Sequence, residues 1–213
     1  MADGQWLDWL KRHRERLINY YLFLNVAGFI IWQGYGIAHS TGLNLIELSF
    51  LLQNLVLAGV VLLRRDPIAI DSSLWHQAVA LIAFFSGLAF MGREATGGPS
   101  SQQISTLVLL SSNLLGILSL LHLGKSFGIL IACREVRSNG VYGWVRHPMY
   151  TSDMLLRVGF VISHFSVYTL ALMILSSACY IYRAILEERF LAEQPAYRAY
   201  MSRVRYRFIP GLF

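Results

Sequence analysis

The chain has little cysteine, little proline and little charge. Its two cysteines, Cys133 and Cys179, are too few and too far apart for a disulfide framework or a zinc site, so both read as free thiols and no metal centre is expected. Charged residues make up 14% of the 213 positions while hydrophobic residues make up 55%. That is more apolar surface than one soluble domain of this length would bury. No internal repeat, Gly-Ser linker or low-complexity tract divides the chain, and a single integrated domain is expected. A cleavable signal peptide is not expected either. The opening stretch WLDWLKRHRERL is basic and amphipathic, with Trp6 and Trp9, and suits a helix lying on a membrane surface.

What the chain does have is long apolar runs. Residues 20–38, 43–63, 74–92 and 104–123 approach or reach the roughly 20 apolar residues that cross about 30 Å of hydrocarbon. After a polar interruption, apolar character returns over 154–165 and 167–186, with the polar turn SHFS between the two. The fold expected is all-α: a polytopic transmembrane bundle of about six spans, the last two forming a helical hairpin. Arg157 lies inside the short fifth span and should face protein or water, because a lipid-facing charge there is costly.

All basic residues except Arg93 and Arg157 fall on one side of this arrangement. The positive-inside rule then places both termini, and the loop between the fourth and fifth spans, in the cytoplasm. The net charge of +6 is topological on this reading, and implies contact with anionic headgroups and no nucleic-acid partner. By region, 1–123 holds the amphipathic helix and four spans, and 124–213 holds the chemistry.

The chemical residues gather after the fourth span, in LGKSFGILIACREVRSNGVYGWVRHPMYTSDML. A disordered linker is seldom so rich in Phe, Tyr and Trp. Pro148 disfavours the helical region for His147 and should start the fifth span, leaving His147 at a helix N-terminus where an anionic group is favoured. A plain interfacial belt, with Arg146 snorkelling and Trp144 and Tyr150 at headgroup level, accounts for the same hexapeptide VRHPMY. A second polar cluster, YRAILEERFL, ends the sixth span, with Arg183 and Glu187 four residues apart on one helix face and Glu188 on the next. A hairpin that starts and ends on the same side brings both clusters into one polar pocket.

The ordered series GVYGWVRHPMY, then EERFL, then YRAYMSRVRYRFIP resembles the isoprenylcysteine carboxyl methyltransferase and phospholipid methyltransferase superfamily of integral membrane enzymes. The resemblance covers roughly residues 123–210; the first four spans match in hydropathy alone. It implies an S-adenosylmethionine-dependent methyltransferase. By position, Tyr142, His147, Pro148, Tyr150 and Glu187 would bind cofactor, with Arg134, Glu135, Val136 and Arg137 beside it. Arg183 would bind the acceptor and hold an anionic group on it, and Glu188 or His147 could take a proton from an amine or thiol acceptor. The SFGIL stretch resembles the cofactor approach of the phospholipid branch.

A sulfonium cofactor offers a cation, an amino group and a carboxylate, so acidic, aromatic and basic groups together suit it. The acceptor stays open: a lipophilic or small molecule presenting a carboxylate, as in prenylcysteine, or a lipid amine or thiol. The chain departs from the family in having EQPAY where Phe-Gly commonly precedes the terminal tyrosine motif. Two other classes fit the composition: a membrane reductase using a nicotinamide cofactor, and a non-enzymatic scaffold or transporter. The second is weakened by spans that contain little charge to mark a translocation route.

Overall fold

The computed structural model describes residues 2–39, 42, 44–90 and 96–212, with 2–19 and 22 described as backbone only. The molecule is a bundle of α-helices. They are α1 (Ala2–His39), α2 (Leu45–Leu63), α3 (Leu74–Phe85), α4 (Pro99–Leu123), α5 (Pro148–Ser163), α6 (Val167–Leu191) and α7 (Pro195–Arg203), with 3₁₀ turns at Ser86–Phe90, Gly124–Ser126 and Gly140–Gly143. Among the described residues, three helices are long and apolar enough to cross a membrane: Leu45–Leu63, Pro99–Ser126 and Val167–Leu191. The third expected span is shorter than a full crossing, an apolar helix over Leu74–Phe90 whose last turn tightens to 3₁₀.

One expectation needs correction. The N-terminal stretch does not form a helix separate from the first span: α1 runs unbroken from Ala2 to His39. No proline interrupts residues 2–39, and the Leu, Arg, Lys and Glu of the opening stretch are good helix formers, so nothing in the sequence stops the helix before the apolar run. The side chains of Trp6 and Trp9 lie outside the described ones, as does Arg93. Among the described residues, the helical bundle carries one short antiparallel ladder, in which β1 (Ala69–Ile70) pairs with β2 (Ala132–Cys133).

Helix starts follow local chemistry. Asn44 caps α2 by accepting from the Ile46 N–H (2.9 Å), and Ser166 with Thr169 forms a reciprocal capping box on α6. Pro99, Pro148 and Pro195 each occupy a first-turn position, where a missing N–H costs nothing.

The closest helix packing is between α4 and α5, and small residues explain it. Ser105, Ser112, Gly116 and Ser119 recur on the buried stripe of α4. Ser112 Oγ donates to Ser152 O (2.8 Å) and Ser152 Oγ donates back to Ser112 O (2.9 Å), while Ser105 Oγ donates to Gly159 O (2.7 Å). In a bilayer such bonds contribute about 0.6 kcal/mol each, and small side chains let the two backbones approach. The opposite faces carry exposed Leu52, Leu55, Leu62, Leu107, Leu114, Ile174 and Leu175, as lipid contact requires.

Arg157 is almost fully buried in this interior, donating to Asp153 O (2.5 Å) and Ser86 Oγ (2.7 Å), with its guanidinium 4.9 Å from the Tyr180 ring centroid. It faces protein and not lipid. One end of the bundle is closed by the loop 127–133. Buried Gln77 clamps that loop by donating to Ile131 O (3.1 Å) and accepting from Ile131 N (3.0 Å). Phe127 and Ile129 pack there with Leu57, Val60, Val61 and Leu120.

Candidate active site

Pro148 opens α5 with His147 as its N-cap in a non-helical conformation. The loop before it is held by the C-terminal tail. Arg146 N donates to Tyr206 O (2.9 Å), His147 N to Arg207 O (2.8 Å), and Thr151 Oγ1 to Phe208 O (3.0 Å). The VRHPMY segment is therefore fixed by main-chain bonds as well as by its side chains.

Glu188 completes that fixation. Its Oε1 accepts from Arg146 Nε (2.6 Å) and lies 3.1 Å from His147 Nε2, and its Oε2 accepts from Arg207 Nε (2.9 Å). Arg146 also donates to Val204 O and Arg205 O, both at 2.8 Å. The anionic group that the sequence places beside His147 is thus the protein's own carboxylate. Glu188, the candidate proton acceptor, is buried, bonded to three basic side chains, and outside the cavity wall. A carboxylate so enclosed serves as a pin between α6, the loop and the tail.

Beside this pin is a cavity of about 110 Å³. Its wall includes Tyr142, His147, Tyr150, Arg183, Glu187 and all four of Arg134, Glu135, Val136 and Arg137. Pro148 is buried but is not part of the wall; it acts by starting α5. Tyr150 Oη donates to Glu187 Oε2 (2.5 Å) and the Tyr150 ring stacks on His147, centroids 5.1 Å apart. Glu135 accepts from Arg65 Nη1 (2.7 Å) and Arg137 Nη2 (3.1 Å), which ties the outer rim to the end of α2. Gly128 makes room for the Arg134 side chain: a Cβ there would overlap Arg134 Nη1.

Tyr142 sits on the 3₁₀ turn Gly140–Gly143, and its carbonyl accepts from Tyr200 Oη (2.8 Å). Gly140 has φ 58, a conformation suited to glycine, and its Cα faces the His122 ring too closely for any side chain. Burial first, then the nearby Glu187 carboxylate, push the Tyr142 phenol up; burial likewise raises Tyr197 and Tyr200. All three stay protonated and available as hydrogen-bond donors at neutral pH.

Arg183 and Glu187 share the cavity-facing side of α6, yet they form no ion pair with each other among the described residues. Arg183 Nη1 donates to Ala80 O (2.9 Å) and Nη2 to Ile129 O (2.5 Å), and its guanidinium lies 5.0 Å from the Tyr150 ring centroid. Ser126 Oγ, Arg137 Nε and Arg183 Nε are buried polar atoms without a hydrogen-bond partner among the described residues, all on residues of the cavity wall. Donors, carboxylates and aromatic faces together fit a ligand that carries a cation, a carboxylate and hydroxyl groups.

The wall also holds Asp153 and Tyr180, polar residues outside the sequence motifs, and Tyr197 and Tyr200, the two tyrosines of the terminal motif. Asp153 is three residues past Tyr150 and so on the same helix face, a signal that was present. The apolar run of the fifth span begins at Met154, one position later, which leaves Asp153 in the polar segment before it. Tyr180 stands in the same relation to Arg183 on α6.

Residues 102–198 match the model of the phospholipid methyltransferase family, which belongs to the superfamily of integral membrane methyltransferases. No curated protein matches the chain.

Proposed function

We propose, from the premise that residues 102–198 carry the phospholipid methyltransferase pattern, that this protein moves a methyl group from S-adenosylmethionine to a lipophilic or small acceptor at a membrane surface. One observation carries the reading: Tyr142, His147, Tyr150, Glu187 and residues 134–137 converge from three chain segments on a single cavity. When bound, the cofactor supplies an electrophilic methyl group on a sulfonium centre. Glu187 offers a carboxylate to its amino group or sulfonium charge, and Tyr142 and Tyr150 offer aromatic faces. Arg134 and Arg137 offer guanidiniums to its carboxylate.

His147 stacks against Tyr150 and sets that wall. Its Nε2 is engaged by Glu188, so its contribution is to shape. The pocket positions the two reactants and excludes water, and positioning of this kind can supply a large part of the acceleration for an in-line displacement. The division into a membrane-anchoring part, 1–123, and a catalytic part, 124–213, is part of the same reading. Phe84 of α3 and Leu123 of α4 join the cavity wall, which favours one integrated domain. The basic residues around the loop and tail suit a cytoplasmic placement of this end.

Calorimetric titration with S-adenosylhomocysteine in detergent micelles tests the cofactor assignment. Glu187→Ala is expected to weaken binding at least tenfold while the variant melts within a few degrees of the parent. Unchanged affinity in both Glu187→Ala and Tyr142→Ala removes the assignment.

A further inference from the structure

We propose that the C-terminal tail, residues 203–212, is a membrane contact that reads anionic lipid head groups and couples that contact to the loop 145–151 at the cavity. The proposal goes beyond the methyl transfer described above and stands without it. The tail is held by its main chain. Arg146 N donates to Tyr206 O, His147 N to Arg207 O and Thr151 Oγ1 to Phe208 O, so each successive tail residue meets a position further along the start of α5. Arg207 reaches Glu188 in the last turn of α6, a helix long and apolar enough to cross a membrane. The tail therefore passes the level at which α6 leaves the hydrocarbon, and descends roughly 5 Å beside the first turn of α5.

The side chains follow that descent. Arg203 and Arg205 come first; both are exposed, and neither has a hydrogen bond or ion pair among the described residues. Tyr206 is next and also exposed, and Trp144, 74% exposed, stands two positions before the Arg146 N–H that Tyr206 O accepts. Ile209 and Leu212 come last, both exposed, Leu212 by 76%. Pro210 and Gly211 fill the middle of a β-turn closed by Leu212 N on Ile209 O (3.2 Å), and the φ of 83 at Gly211 is the left-handed value such a turn requires. The turn thus holds two aliphatic side chains in the open at the deep end of the tail. Cation, then aromatic, then aliphatic is the order of head group, boundary and acyl chain met on entering a bilayer.

Charge selects the head group. Residues 194–212 contain four arginines and no acidic residue. Arg207 is engaged by Glu188 and Arg198 donates to Ala192 O, which leaves Arg203 and Arg205 to meet lipid phosphate. A guanidinium near an anionic leaflet contributes a factor of about five, so the pair favours the seated tail about 30-fold on an anionic surface over a neutral one. The same segment accepts from Arg146 N and His147 N, so seating the tail also holds the loop that carries His147 and Tyr150 into the cavity wall.

The test uses the intact protein in lipid nanodiscs of phosphatidylcholine, alone or with phosphatidylglycerol. Amide exchange over 145–151 and 204–208, followed by mass spectrometry, is expected to slow about 30-fold in the anionic discs while exchange across α4 stays the same. The double variant Arg203→Gln, Arg205→Gln should melt with the parent in detergent and exchange at the neutral-disc rate in both lipids. Inorganic phosphate added to neutral discs should leave exchange unchanged. A spin label placed by Leu212→Cys, with Cys133→Ala and Cys179→Ala, should be relaxed by oxygen and shielded from a water-soluble nickel complex; a label placed by Arg203→Cys should show the reverse.

Equal exchange in the two discs, slowing that extends equally over α4, slowing retained by the double variant, or a label at position 212 open to the nickel complex overturns the proposal. Slowing reproduced by inorganic phosphate overturns it as well, since the arginines would then take a free anion and not a bilayer surface.

Discussion

Removing the Glu188 carboxylate should cost stability before it costs chemistry. Glu188→Ala leaves Arg146, itself 8% exposed, without its charge partner, and leaves His147 without a bond at Nε2. Breaking a buried pair by deleting one member costs roughly 3–5 kcal/mol. Two features place this case near the lower bound. Arg146 keeps its bonds to Val204 O and Arg205 O, and Arg207, whose side chain is 30% exposed, can turn to water. About 3 kcal/mol in a chain of this size corresponds to a fall in melting temperature of roughly 6–12 °C.

The assay is thermal unfolding in detergent, read by tryptophan fluorescence, with Glu188→Gln in parallel. The amide keeps the shape but supplies a weaker acceptor and no charge, so it should fall between the parent and Glu188→Ala. A Glu188→Gln protein with the parent's melting temperature and a turnover reduced 100-fold would refute the reasoning. It would return Glu188 to the chemistry as a proton acceptor.

Gly128→Ala should weaken S-adenosylhomocysteine binding several-fold by displacing Arg134, with calorimetry as the check. Gly140→Ala, forced into a left-handed conformation against the His122 ring, should lower stability by about 1–3 kcal/mol in thermal unfolding. Arg183→Lys keeps the charge but cannot reach both Ala80 O and Ile129 O in one plane. Amide exchange in the loop 127–131 should rise, as mass spectrometry of deuterated protein can measure. The Tyr142 and Tyr200 phenols are raised in the folded state, so the stability they contribute is present below about pH 10 and is lost as the pH rises above it, when the unfolded chain ionises first. Melting temperature measured from pH 8 to 11 should drop less steeply in Tyr142→Phe.

The helical membrane class was legible because apolar runs leave few alternatives, and Pro148 with SHFS marked both ends of α5. Residue spacing put Arg183 and Glu187 on one face and brought the hairpin back to VRHPMY. What spacing could not supply was the partner of each charge. Glu188 differs from Glu187 by one position, yet a rotation of about 100° turns it from the cavity into a ring of two guanidiniums and an imidazole. The C-terminal tail that supplies Arg207 and two of the carbonyls on Arg146 lies 16 or more residues from Glu188, at a contact no periodicity encodes. Asp153 is hidden for a simpler reason: hydropathy sets the edge of the span at residue 154, while the helix begins six residues earlier.

The central claim, that this cavity takes S-adenosylmethionine, is tested most directly by titrating the purified wild-type protein with S-adenosylhomocysteine and, separately, with a reduced nicotinamide dinucleotide. The account expects saturable binding of the first at one site per chain and no heat from the second. Binding of the nicotinamide dinucleotide without S-adenosylhomocysteine binding would contradict it and point to a membrane reductase.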